Sequence, residues 1–213
     1  MAEHRDDHPK LLGHAAAREA RSAQLSLPHV SPLTNFVSQL RAEMGPAAHI
    51  PNFDPWDGGI DAEVLYLLEA PGRRAVSSGF ISRNNPDETA KNFFELNREA
   101  GVERCRTIIW NVVPWYIGTD TRIRAATRSD VGLARKALEA LLDLLPRLRG
   151  VVFIGRAAER AAPTILRLRP TLRQFISPHP SPLFVNNKPG NRERILTVLK
   201  DLASFLDRDP AAV

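Results

Sequence analysis

The sequence predicts an α/β protein: a three-layer α/β/α sandwich around a short, largely parallel four-stranded sheet. Three observations carry this. Four short apolar runs are continuous rather than alternating, as expected of strands covered on both faces. Stretches with helical spacing lie between them, and such alternation builds a parallel sheet. The chain has 213 residues, 43% hydrophobic and 25% charged, which suits one domain of this kind.

Taken in order, residues 1–27 are rich in Arg, His, Asp and Ala and contain no long apolar run. They read as a mobile extension with one weak helix, leaving 28–213 as a single domain. A helix is expected over 33–44. "FDPWDGG" (53–59) follows and reads as an Asx-type turn. The first strand is VLYLLE (64–69). A helix over 87–100 starts after Asn-Pro and stops at Gly101. The second strand is TIIWNVV (107–113). Residues 129–148 carry Leu133, Ala137, Leu138, Leu141, Leu142 and Leu145 at helical spacing. The third strand is GVVFIG (150–155). A helix over 156–168 contains Pro163, which bends or shortens it. The fourth strand is LRQFIS (172–177), and a helix over 191–206 closes the chain. No internal repeat interrupts the pattern.

Composition excludes several classes. No run of about 18 apolar residues exists, so no membrane span is expected, and the N-terminal stretch lacks the apolar core of a secretory signal. A single cysteine, Cys105, rules out an internal disulfide and any Cys-ligated zinc or iron–sulfur centre. It fits a reducing cytoplasm and reads as a plain buried thiol. The net charge is +5, and residues 147–200 concentrate eleven Lys/Arg against two Glu. That excess is either a solvated surface or a side that faces a polyanion.

The unusual residues fall at strand ends. Glu69-Ala70-Pro71-Gly72 follows the first strand, and Asn111 lies within NVVPW at the end of the second. Gly155 ends the third. The fourth runs into "FISPHPSPLF" (175–184), where three prolines bracket His179 and Ser181 and stiffen the backbone. In a parallel sheet these ends share one edge, where open α/β folds bind their ligands.

Each side chain there has two readings. Glu69 can orient a water molecule, or simply accept backbone N–H groups. His179 can donate to a developing negative charge, or serve as a hydrogen-bonded structural histidine. Asn111 is costly to bury unsatisfied; it either reads a planar base or caps the sheet. Phe80, after Ser77-Ser78-Gly79, either stacks on a ring or belongs to the core. The sequence contains no P-loop, G-x-G-x-x-G, G-x-S-x-G or H-E-x-x-H.

The ordered set LEAPG (68–72), SGF (78–80), NVVPW (111–115) and HPSPL (179–183) resembles the uracil-DNA glycosylase superfamily over roughly residues 61–206. The first motif is most similar to the G-E-A-P-G form of the iron–sulfur branch. Leu68 replaces its usual glycine, Ala70 stands where other branches carry Asp or Asn, and the branch's four cysteines are missing.

The resemblance implies a cofactor-free enzyme that hydrolyses the N-glycosidic bond of uracil flipped out of DNA. Glu69 and His179 would be catalytic. Ala70, Pro71, Gly72, Phe80, Asn111 and Ser181 would contact the base, with Phe80 stacking on it and Asn111 pairing with its edge. Leu183 and Phe184 would fill the gap in the stack. Lys188, Arg192, Arg194, Arg122 and Arg124 would bind phosphates of uracil-containing DNA, duplex or single-stranded. The protein is expected to act as a monomer. The competing expectation, motivated by Leu68 and Ala70, is a catalytically weak module that binds DNA lesions; a small-molecule hydrolase is the third.

Overall fold

The computed structural model describes residues 7–119 and 124–208. Its elements in chain order are α1 (Ala15–Ser22), α2 (Ser31–Met44), β1 (Asn52–Phe53), β2 (Val64–Leu68), α3 (Arg73–Ser78), β3 (Phe80–Ile81) and α4 (Glu88–Ala100). There follow β4 (Thr107–Asn111), α5 (Arg128–Asp143), β5 (Gly150–Ile154), α6 (Arg156–Glu159), α7 (Ala162–Leu168), β6 (Arg173–Ser177), α8 (Pro182–Val185) and α9 (Asn191–Leu206).

The main sheet has the order β4-β2-β5-β6, and every pairing in it is parallel. Val64, Leu65, Tyr66 and Leu67 of β2 and all of β4 and β5 are buried. Their apolar side chains join one core with both flanking helix pairs, α2 with α5 and α4 with α9. Each fully buried Val, Leu or Ile contributes roughly 1.5–3 kcal/mol, so the continuous strand runs dominate the fold. The rings of Phe53 and Trp110 stack with centroids 3.9 Å apart. Tyr66 meets Phe93 edge-on at 4.8 Å and donates its hydroxyl hydrogen to Asn97 of α4.

Several boundaries differ from the sequence reading, each for a local reason. The helix expected over 129–148 stops at Asp143, because Pro146 pushes the residues before it out of helical geometry. Leu133 on that helix, expected to face the core, is 69% exposed. The stretch 156–168 splits into α6 and α7, with Pro163 in the first turn of α7, where a missing N–H costs nothing. β6 is an edge strand and is covered on one side only, leaving Ile176 exposed. A second sheet of two short parallel strands, β1 and β3, was not anticipated. Cys105 is half-buried rather than buried, its thiol facing Glu103.

The largest correction concerns the N-terminal segment. From Asp7 onward it packs on the domain instead of extending from it. Leu12 and Arg21 are fully buried, and Arg21 pairs with Asp54 while lying 3.5 Å from the Trp56 ring centroid. Asp54 forms the expected Asx turn by accepting the Trp56 N–H at 3.0 Å. Among the described residues no helix is long and apolar enough to cross a membrane.

Candidate active site

Because β4, β2, β5 and β6 are parallel, their carboxyl ends share one edge. β2 and β4 end flush there, with Leu68 opposite Asn111. Pairing continues one step further, through Val112 N–H to Leu68 O at 2.8 Å and Val113 N–H to Glu69 O at 3.0 Å. Glu69 and Asn111 therefore enter the same space from adjacent strands. That space is a cleft of about 450 Å³, within the size range of small-ligand pockets. Glu69, Asn111 and His179 all line it, as do Ala70, Pro71 and Gly72. Ile81, Phe93, Ile109 and Ile117 are among its apolar lining.

Asn111 is 3% exposed, and its Nδ2 has no hydrogen-bond partner among the described residues. An unsatisfied buried donor costs about 1–3 kcal/mol. The amide donor therefore takes no part in capping the sheet end. The donor is left available to whatever fills the cleft.

Glu69 lines the cleft and accepts a backbone N–H, the second of its two readings. One carboxylate oxygen accepts the Ala126 N–H at 2.6 Å, which fixes the side chain and leaves the second oxygen for a ligand. The Ala126 loop is itself held from two sides. Thr127 and Asp130 form a capping box at the start of α5, and Arg160 donates to the Ala126 carbonyl at 3.2 Å.

His179 stands over Gly155, whose φ of +80° and missing side chain let the loop close in. A Cβ there would lie 3.4 Å from the Cβ of His179. The loop is anchored by Asn92 of α4, whose Nδ2 donates to the Pro180 carbonyl at 3.0 Å. Burial lowers the imidazole's proton affinity, and the carboxylates of Glu69 and Asp87 partly restore it. The ring therefore takes up a proton less readily than an ordinary histidine.

Asp87 was read from sequence only as the start of a helix. It does cap α4, accepting the Ala90 N–H at 2.9 Å, but it also lines the cleft and faces His179. Nothing in the motif order signals this second role, since the same Asp would be chosen for capping alone. Ser82, Arg83, Asn85 and Arg74 also line the cleft without having been singled out.

Other expectations are redirected. Phe80 is buried and is not among the cleft-lining residues; its neighbour Ile81 is. Successive strand residues point to opposite faces, so Phe80 turns away from the site it was expected to serve. Ser181 does not line the cleft either. It caps α8, its hydroxyl accepting the Phe184 N–H.

Leu183, just beyond, is 84% exposed, while Phe184 packs partly against the core with Arg194 5.6 Å from its ring. Arg124 lines the cleft, but its two terminal nitrogens bind Asp130 at 2.6 and 2.9 Å. Arg192 is likewise paired with Glu99. Lys188 is exposed, and Arg122 lies outside the described residues.

With this geometry in view, the sequence model of the uracil DNA glycosylase superfamily matches residues 55–203. The chain belongs to the uracil-DNA glycosylase superfamily. The match spans every strand of the main sheet and each of the three convergent polar side chains. The solution NMR structure of a candidate uracil DNA glycosylase from Methanosarcina acetivorans is similar over 67% of this chain and 91% of its own. That similarity has 17% identity and a TM-score of 0.47. No curated protein matches the chain. Membership in the superfamily supports a DNA-glycosylase type of activity.

Proposed function

We propose that this protein hydrolyses the N-glycosidic bond of uracil in DNA and leaves an abasic site. One observation carries the proposal: Asn111 Nδ2, unpartnered among the described residues, shares a single cleft with Glu69 and His179. A base inside a duplex cannot reach such a cleft, so the nucleotide would be flipped out. Asn111 Nδ2 would donate to O4 of uracil, and its oxygen would accept from N3–H. Cytosine inverts both partners and would leave two buried groups unpaired.

Bond cleavage places positive charge on the sugar and negative charge on the departing base. His179 would donate to the anionic oxygen, an effect worth roughly 3–4 kcal/mol at comparable sites. Glu69 and Asp87 supply negative charge for the cationic sugar. Glu69, fixed through Ala126 N–H, is the group placed to hold the attacking water, since Ala70 offers only a methyl group. No metal or organic cofactor is required by this chemistry. Exposed Leu183 would enter the gap left in the stack, and Lys188 and Arg194 would meet phosphates.

Release of free uracil from uracil-containing duplex and single-stranded oligonucleotides, followed by alkaline cleavage at the abasic site, tests the proposal. Ala70 favours the second reading, a lesion-binding module. Tight uracil-dependent binding without release would establish that reading instead.

A further inference from the structure

The polar wall of the cleft is tied to the sheets at two points, Arg83 donating to Thr107 of β4 and Asn85 Nδ2 to the Phe80 carbonyl of β3, each at 2.9 Å. Ser82, Arg83, Asn85 and Asp87 line it from the segment between β3 and α4, which lies outside both sheets. Asn84 within it and Glu88 just past it are held by the N-terminal residues.

Leu12 N–H donates to the Asn84 carbonyl at 3.0 Å, and Asn84 Nδ2 donates to Asp7 and to the His8 carbonyl, each at 2.7 Å. Lys10 pairs with Glu88, one residue past Asp87. Arg104 joins these contacts with every donor group of its guanidinium. Nη1 reaches Asp7 at 2.9 Å and Asn84 at 2.6 Å, Nη2 reaches Asp54 at 2.6 Å, and Nε reaches Asp57 at 2.8 Å. From Asn84 the order passes inward, through Ser82 Oγ accepting the Asn84 N–H at 2.9 Å and Asn85 O accepting the Asp87 N–H at 2.8 Å.

We infer that the segment from Asp7 to Ser22 is a strap that sets the cleft wall, and that Arg104 is the positioning residue joining the two. Asp7 and the rest of the strap lie outside the family match at 55–203. Its functional consequence rests on the proposed glycosylase activity. A wall displaced by about 1 Å misplaces Asp87 against His179, and misplacement of that size lowers a chemical step by up to about 100-fold.

The test uses the full-length chain. Asp7→Ala removes the part-buried contacts to Asn84 and Arg104 and leaves the buried Arg104–Asp54–Asp57 contacts in place. Arg104→Lys keeps the charge but loses the fork. Hydrogen exchange of the 82–88 amides is the first readout, and it needs no activity. Exchange at least about tenfold faster there in Asp7→Ala, with the β2 and β5 amides unchanged, is expected; unchanged exchange overturns the strap. The second readout is single-turnover base release, expected to fall about tenfold or more while DNA affinity moves less than about twofold. Equal losses of rate and affinity overturn the positioning role. If the wild type releases no base, the glycosylase reading fails by itself, and hydrogen exchange still decides the strap.

Discussion

Asn92 and Pro180 are 88 residues apart, yet the Asn92 amide donates to the Pro180 carbonyl at 3.0 Å. Through this bond α4 carries both Asp87 at its N-cap and the tether of the His179 loop. Asn92→Ala should therefore cost only about 1 kcal/mol of stability but lower base release about tenfold. Urea midpoints and single-turnover rates measured on one preparation check both figures. A rate unchanged beside a shifted midpoint would show that the tether serves folding alone.

Asp87→Asn preserves the helix cap, because Asn caps as well as Asp, and removes one of the two charges that raise His179's proton affinity. The wild-type imidazole, lowered by burial, should keep release active below the ordinary histidine pKa of about 6.5. Activity should then fall as pH drops through the lowered value. The variant should carry that acid limb to still lower pH and be slower on its plateau, with Glu69, Arg74 and Arg124 still lining the cleft. Stability follows the same sign: the folded histidine binds its proton less readily than the unfolded chain, so stability declines as pH falls below about 6.5. A pH–rate profile that does not move would remove Asp87 from the site's electrostatics.

Leu183 is 84% exposed, so Leu183→Ala should change stability by less than about 0.5 kcal/mol. Release from duplex should nonetheless fall more than release from single strands, because only the duplex exacts the unstacking cost of a few kcal/mol. Parallel assays on the two substrates check this. Equal loss on both would mean the residue is no wedge.

Asp54 lies at the centre of the buried ion cluster. Burial alone would raise its pKa, but Arg104 and Arg21, with Ser82 and the Trp56 N–H, hold it at about 2. The stability it contributes is present above about pH 4 and is lost as pH falls toward 2. Asp54→Asn should cost roughly 3–5 kcal/mol at pH 7, since it strips the fully buried Arg21 of its counter-charge. Chemical denaturation across pH 2–7 should show the gap between variant and wild type closing at the acid end.

The fold was legible where apolar pattern decides structure. Buried parallel strands leave continuous runs, and α9 and the capped α4 are bounded by turn residues that the chain displays. Convergence of Glu69, Asn111 and His179 followed from strand order, because parallel strands put their ends on one edge. What was not legible depends on partners distant in sequence. The strap owes its order to Asp7, Arg21 and Lys10 meeting Arg104, Asp54, Asn84 and Glu88, and no periodicity announces such pairs. The inward turn of Phe80 depends on the parity of a two-residue strand. Asp87's place in the cleft was hidden behind its capping role.

The central claim is that the Asn111 amide reads uracil, and the uracil-to-cytosine ratio of single-turnover release tests it most directly. Wild type should release uracil and leave cytosine essentially untouched. Asn111→Asp, which replaces the donor with an acceptor, should slow uracil release and admit cytosine, collapsing the ratio by 100-fold or about that. A variant that keeps the wild-type ratio, at whatever rate, would contradict the account.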